Sequence, residues 1–540
     1  MIAVAFGLRL GRWGVFGFSL AALVLVFIQT AGFYQVAGGT LAERAHFGAS
    51  MATLAAQFVA LFPPPVRPDT VGGYVEFRGF HPLAVLFAVW ALASATGFVR
   101  GDEERGIVEA ALATGTSRLA LIASRTAGFA LALAVASAAA AAGFVLGVAS
   151  GHETVEAQRL FQEAVLLAAV GFACFALSLL VAQLAGPRAA TAAAGALLLA
   201  LFLDNSLSRA MNSLATWRWL SPFRYYDLSQ PLPPGGYFDT RAFLVLLGIS
   251  VIATAAAAAA FARRDVAGSL VRLPSLPHQP SHDVAVAPGW GVAILRGLYE
   301  RRVGLLAWAA GMAVMAAFFA ALTKTIVQVL LSIPTLLPYL SIFVHQQLYP
   351  AVLGYTWFNI AQLMFAAFAI TYVARWSAED SDGRLEIFLS QPQSRAGIVL
   401  ERMAVLAAGA VFIAGVSGAV LFYASHQQGI DLNPQRLTVA SLMLVPFALV
   451  FAGAGSLLAA WNPRASVGLL GAFAFASYLD TELGTIYKLP PWLLDLSAFK
   501  LFGTPLLSGV NGRNLALMLL LALAGIGSSI LAIQRRDVGA

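Results

Sequence analysis

Between residues 120 and 149 the chain carries a single charged side chain, Arg125. A helix of that length rises about 45 Å, whereas the hydrocarbon core of a bilayer is about 30 Å thick and is crossed by about 20 apolar residues. Comparable apolar runs lie at 13–34, 81–99, 161–184, 190–207 and 241–262, and again at 303–323, 357–374, 402–423, 438–460, 466–480 and 513–534. In lipid only helices and closed barrels satisfy their backbone, and these runs are too long and too uniformly apolar for barrel strands. The sequence therefore predicts an all-α polytopic membrane protein with twelve transmembrane helices. A mean hydropathy of +0.80 agrees that most of its solvent is lipid. Two further runs, 51–62 and 325–340, are shorter or interrupted by proline (Pro63–Pro65, Pro334, Pro338). They are expected to lie at, or dip into, the outer surface.

Charge placement sets the expected orientation. On this topology twenty of the 33 Lys and Arg residues fall on one side, mostly in short loops. That side is the cytoplasm by the positive-inside rule, so both termini are expected there. The net charge of +7 then reflects orientation rather than a nucleic-acid partner. The lone cysteine, Cys174, excludes an intrachain disulfide and reads as a small buried thiol. The opening MIAVAFGLRLGRWG has the charge order of a signal peptide but no small-residue cleavage site, so a retained first helix is expected.

The chain also reads as a tandem duplication. GPRAATAAAGALLLALFLD (186–204) aligns without a gap on NPRASVGLLGAFAFASYLD (462–480), so Pro187, Arg188 and Asp204 fall on Pro463, Arg464 and Asp480. SPFR (221–224) meets SAFK (497–500), and ARRDVAG (262–268) meets QRRDVGA (534–540). Six spans per half return the chain to its starting side, which predicts parallel six-helix repeats about an axis along the membrane normal. The expected division is residues 1–268, a cytoplasmic linker at 269–288 rich in proline and polar residues, and residues 289–540.

Two charged stretches interrupt the apolar pattern, GDEERGIVEAALATGTSR (101–118) and RWSAEDSDGRLEIFLSQPQSR (375–395). Placing the six charges of the first at mid-bilayer would cost on the order of 15–20 kcal/mol at about 2.5–3.5 kcal/mol each. The loop must therefore be in water, between spans two and three. Ile107, Val108, Ala111 and Leu112 still recur at helical spacing, with Asp102, Glu103 and Glu104 expected at the N-terminal end of that helix. Gly115 and Pro392 are expected to break the turn, and Ser117 and Ser394 to cap the next helix. A short amphipathic helix of this kind can lie on lipid. An acidic one is repelled by anionic cytoplasmic lipid, so a protein groove is the better host.

The pattern Glu-Glu-x-Gly, then x-x-Glu-x-x-Leu-x-x-x-x-Ser-Arg, resembles the coupling helix of type-2 ATP-binding-cassette (ABC) exporter permeases. The amphipathic lead-ins MIAVAFGLRLGR and GWGVAILRGLYERR look like that family's interfacial helices. A fused twelve-span chain is most similar to the polyketide-antibiotic exporter and tetronasin-resistance permeases. The resemblance implies a bacterial inner-membrane exporter permease for bulky amphiphiles, whether polyketide antibiotics, drugs or lipids. It also implies two copies of a cytoplasmic ATPase that bind ATP and Mg, with no cofactor in this chain. Its coupling residues would be Asp102, Glu103, Glu104, Arg105, Glu109 and Leu112, then Glu379, Asp380, Asp382, Glu386 and Leu389. Of these, Glu103, Glu109, Asp380 and Glu386 would face the ATPase. The second loop departs from the pattern, with Ser381-Asp382 where the first has Glu104-Arg105.

The residues themselves agree that the motor lies elsewhere. ATP binding needs a glycine-rich loop ending in Lys-Ser/Thr, and the three lysines, Lys324, Lys488 and Lys500, follow no such loop. Scattered histidines without HExxH spacing argue against a membrane metalloenzyme. First spans of the resembled family line the cavity between halves. Here that would set Trp13, Phe16 and Phe27 opposite Trp308, Met312, Met315 and Phe319, surfaces suited to bulky amphiphiles but equally to helix packing. The rival reading is a proton-coupled transporter of major-facilitator type. Such antiporters use buried carboxylates, and no acid is expected at the middle of a span.

Overall fold

The computed structural model describes residues 2–57, 63–209, 216–266, 268, 293–332, 348–381, 385, 390, 394–484 and 497–535. It is all-helical apart from one isolated bridge, Gln230 to Tyr237. Contacts divide the chain into two compact units, one made chiefly of Met1–His278 and the other chiefly of the residues after it.

In the first unit α1 (Ile2–Val36) is followed by α2 (Leu41–Gln57) and then by α3, a helical path over Val71–Glu104. A short α4 (Ile107–Ala113) leads to α5 (Arg118–Ser150), α6 (Ala157–Leu184) and α7 (Pro187–Leu207). A one-turn α8 (Pro222–Asp227) precedes α9 (Thr240–Arg263). The second unit runs α10 (Ala293–Glu300), α11 (Arg302–Ser332), α12 (Leu348–Ser381), α13 (Arg395–Gln427), α14 (Pro434–Trp461), α15 (Pro463–Gly484) and α16 (Gly512–Arg535).

Eleven of these helices are long and apolar enough to cross a membrane. The twelfth expected span lies in α15, whose apolar stretch, Ala465–Tyr478, is shorter. The second span begins ten residues earlier than its apolar run. Thr70 caps it by accepting from the Gly73 N–H at 3.3 Å, which draws Glu76 and Arg78 into the helix. The run at 325–332 continues α11 rather than forming its own element; the rest of 325–340 lies outside the described residues, as does 58–62.

The lead-in helices part company. The second is the separate α10, but the first is continuous with its span, so an independent N-terminal interfacial helix is not found. No proline or positive-φ residue interrupts the hydrogen-bond ladder between Ile2 and Val36.

Close approach fixes the direction of the helices in each unit. A Cβ on Gly143 would stand 2.2 Å from the Leu23 carbonyl oxygen, and one on Gly147 would stand 2.4 Å from Thr30 Cβ. Residue numbers rise together along α1 and α5, so the two run parallel. α3 runs against them, since Phe80 near its start meets Phe144 near the end of α5. The start of α1, the end of α3, the start of α5 and the end of α9 therefore share one end of the unit. α2 stays at the other end, where Arg44 pairs with Glu153 at 2.6 Å.

In the second unit α13 likewise runs parallel to α11, with Gly409 against Leu305 and Gly429 near Lys324. Gly453 and Gly525 bring the backbones of α14 and α16 into contact. Lipid supplies no hydrophobic drive between helices, so such small-residue seams hold the bundle through van der Waals contact.

Gly143→Leu should force α1 and α5 apart. Overpacking of this kind costs about 1–3 kcal/mol, read as a lowered melting midpoint of the purified chain in detergent. A surface change such as Leu146→Ala on the same helix, where the side chain is 53% exposed, should leave the midpoint unchanged.

Candidate functional site: a charged elbow

The end of α3 is wound as a π-turn over Gly97–Gly101 before Asp102–Glu104 resume α geometry. Such turns are frequent at functional sites. Here it carries Arg100 into the fold with only 3% exposure. The Arg100 guanidinium donates to the carbonyls of Ala182 at 2.7 Å and Ala185 at 2.5 Å. It thereby caps the end of α6, where orphan carbonyls and the helix dipole favour a cation. Its Nη1 donates to Glu103 Oε2 at 2.9 Å.

Glu103 is held on its other oxygen by Arg264, at the end of α9. Arg264 also donates to Gln183 Oε1 at 2.8 Å. One carboxylate between two guanidiniums thus ties together the ends of α3, α6 and α9. Next to it, Asp102 accepts from Arg105 at 2.9 Å and from Arg125 of α5 at 2.6 Å. Arg118 reaches the carbonyls of Phe261 and Arg264, which binds the start of α5 to the end of α9.

Outside this knot sits α4. Gly106, at φ 70°, makes a left-handed turn that ends the charged run, and Gly115 at φ 85° makes the next. Val108 is 2% exposed, and Leu112 packs against the core. Glu104, Arg105 and Glu109 face outward. Ser117 caps α5 by accepting from the Ala120 N–H at 3.1 Å, as its sequence position led us to expect.

Two expectations need correction. The acids Asp102–Glu104 do not begin the amphipathic helix; they finish α3, because arginines of three helix ends hold Asp102 and Glu103 there. Glu103, whose side chain is 1% exposed, is consequently turned into the unit rather than out of it.

The second unit has related contacts. Arg402 of α13 bridges Glu379 and Asp380 at the end of α12, both at 3.1 Å. Asp380 is therefore turned inward as well, its side chain 2% exposed. Ser394 caps α13 through the Gly397 N–H at 3.0 Å. Arg395 donates to the Ile533 carbonyl at 2.8 Å, as Arg118 does to Phe261. Where the first unit uses Arg100, the second has Ser377 bonded to Ser466 at 2.7 Å. Asp382, Glu386, Leu389 and Pro392 lie outside the described residues.

The aromatic and methionine residues expected on a substrate path are described within their own units. The Trp13 side chain lies outside the described set. Phe16 is 61% exposed, and Phe27 is half-buried. Trp308 meets Phe368 edge-on, with centroids 5.8 Å apart. Met312 is 2% exposed in its own unit's core, so it serves packing; Met315 and Phe319 lie against that core.

Sequence reasoning missed the partners Arg100, Gln183 and Arg264. The repeated Arg-Arg-Asp at 263–265 was the available signal, because a conserved charge order at a span's end needs counter-charge nearby. No group of three or more His, Cys, Asp or Glu residues arranged to hold a metal occurs among the described residues.

An all-helical bundle with eleven helices long and apolar enough to cross a membrane is that of a polytopic membrane protein. Comparison with known families is specific. Residues 17–266 match the model of the ABC-2 family transporter proteins, and residues 297–533 match that of the C-terminal domain of the multidrug efflux system permease Rv1217c. Together the matches leave only the linker and the two ends of the chain uncovered. The chain belongs to the ABC-2 type exporter permeases, as a transmembrane exporter subunit. A comparison with curated proteins finds no match.

Glu103→Ala would leave Arg100 and Arg264 buried side by side without their shared counter-charge. Removing one partner from a buried ionic group costs about 3–5 kcal/mol, so the melting midpoint of the purified chain should collapse. Glu109→Ala, on the outward face of α4, should leave it unmoved.

Proposed function

We propose that this permease is the membrane half of an ATP-driven exporter whose motor is a separate cytoplasmic ATPase, present as two copies. The observation that carries the reading is α4: an amphipathic helix with Glu109 on its outward face and Glu104 and Arg105 exposed just before it, mounted on a knot that binds the ends of α3, α5, α6 and α9. A force applied to α4 passes through Asp102 and Glu103 into four long helices at once. In this reading Glu104, Arg105 and Glu109 meet one ATPase, and the 382–393 stretch with Glu386 meets the other. Glu103 and Asp380 act behind them as the anchors that transmit the load.

The elbow end then lies in the cytoplasm of a bacterial inner membrane, together with both termini. ATP closure of the motor drives the halves between inward-competent and outward-releasing states, by binding one state more tightly than the other. The cargo class is bulky amphiphiles, polyketide antibiotics, drugs or lipids, in keeping with the multidrug efflux permease that the second half resembles. A major-facilitator mechanism is disfavoured because both halves match ABC-type permease models.

Glu109→Arg combined with Glu386→Arg should leave the permease folded and abolish both co-purification of the ATPase and drug-stimulated ATP hydrolysis by the reconstituted pair. A tight, active complex formed by that variant would overturn the docking assignment, and export by the purified chain alone would overturn the separate motor.

A further inference from the structure

Glu76 and Glu163 lie at the opposite end of the first unit from the elbow, and each is 1% exposed. Glu76 sits in a second π-turn of α3, Glu76–Phe80, and Glu163 in the second turn of α6. Among the described residues neither forms an ion pair with Arg or Lys. Both instead hold the segment that crosses this end of the bundle. Tyr226 Oη donates to Glu163 Oε1 at 2.7 Å, and the Leu232 N–H donates to Glu76 Oε2 at 3.0 Å. Glu76 Oε1 is buried with no partner.

The surrounding groups do not neutralise the pair. His81 Nδ1 lies 2.8 Å from the Glu76 backbone carbonyl, and its ring stands edge-on to Tyr226 at 5.3 Å. His81 Nε2 lies 3.7 Å from Asp227. Asp227 in turn pairs with Arg209 at 2.5 Å and accepts from Asn205 at 2.7 Å. From α5 the neighbour is Phe144, packed on Phe80. Arg159, at the start of α6, pairs with Glu156. Burial, then the Glu163 carboxylate, pushes the Tyr226 phenol well above its ordinary range, so it remains a donor.

We propose that Glu76 and Glu163 form a proton-binding site that latches the 222–232 segment over this end of the first unit. A carboxylate buried without counter-charge is far costlier than a neutral carboxyl, and these two hold neighbouring points of one segment. Oε2 of Glu76 already accepts from Leu232, which leaves Oε1 to carry the proton. A cavity of about 230 Å³, lined by Gly72 and Leu232 together with Arg44, Asp69, Glu153 and Arg159, lies on the other side of the Leu232 contact. Closing the latch takes up a proton from solvent, and opening returns it to solvent. The closed form therefore binds more protons, so falling pH favours closure and rising pH favours opening.

In the second unit Ser497, the counterpart of Ser221, holds its segment through the Ser477 carbonyl at 2.6 Å and the Thr481 hydroxyl at 2.5 Å, groups that do not titrate in this range.

The test uses the full chain in lipid nanodiscs, without its ATPase. Infrared difference spectra between low and high pH should show the carbonyl band of a buried, titrating carboxyl group, absent from the isosteric double variant E76Q/E163Q. Hydrogen exchange of the 222–232 amides, corrected for intrinsic rates, should accelerate by about tenfold per pH unit above the titration for one released proton. It should be pH-independent in E76Q/E163Q, while α9 amides change in neither protein. A wild-type spectrum without a titrating buried carboxyl overturns the proposal even if the double variant fails to fold. So does equal pH dependence in both proteins.

Discussion

A guanidinium carried to the edge of the hydrocarbon must bring its counter-charge with it. Arg100, Glu103 and Arg264 obey that constraint as a unit, and the first half of the permease is organised around the result. The knot ends three helices at one place and satisfies carbonyls that would otherwise be orphaned at the end of α6. It also frees the next helix, α4, to present Glu109 outward. The buried charges give mechanical continuity, and the exposed ones are left for recognition.

The two units solve the same problem with different chemistry. Arg402 gathers both acids at the end of α12, whereas in the first unit Arg125 takes Asp102 and leaves Glu103 to Arg100 and Arg264. Hydroxyl pairs, Ser377–Ser466 and Ser456–Ser529, stand in the second unit's seams. At the opposite ends the contrast repeats, with carboxylates clasping the 222–232 segment and serine and threonine clasping its counterpart. A fused chain can carry such differences because each half mutates alone, which identical half-transporters cannot do.

Much of this was legible in the apolar runs, since bilayer thickness dictates span length and little else satisfies a backbone in lipid. The caps at Ser117 and Ser394 and the apolar stripe of α4 were legible because they are local. Which way Asp102 and Glu103 face was not, because that depends on Arg264, far away in sequence. Glu76 was hidden for a different reason. Hydropathy falls around YVEFRGF, so the stretch reads as loop, whereas Thr70 starts the helix before it. Glu163 falls near one end of its apolar run, 161–184, and only the fold places Tyr226 over it.

The two π-turns of α3 have a consequence for how the molecule stores its settings. Each holds one residue more than an α-turn would, and one residue corresponds to about 100° of rotation about the helix axis. Rewinding Gly97–Gly101 to α geometry would rotate Asp102 and Glu103 relative to Arg125 and Arg264, their partners on other helices. Rewinding Glu76–Phe80 would likewise rotate Glu76 out of reach of Leu232. The winding of a single helix thus sets which way its charged groups face at both ends.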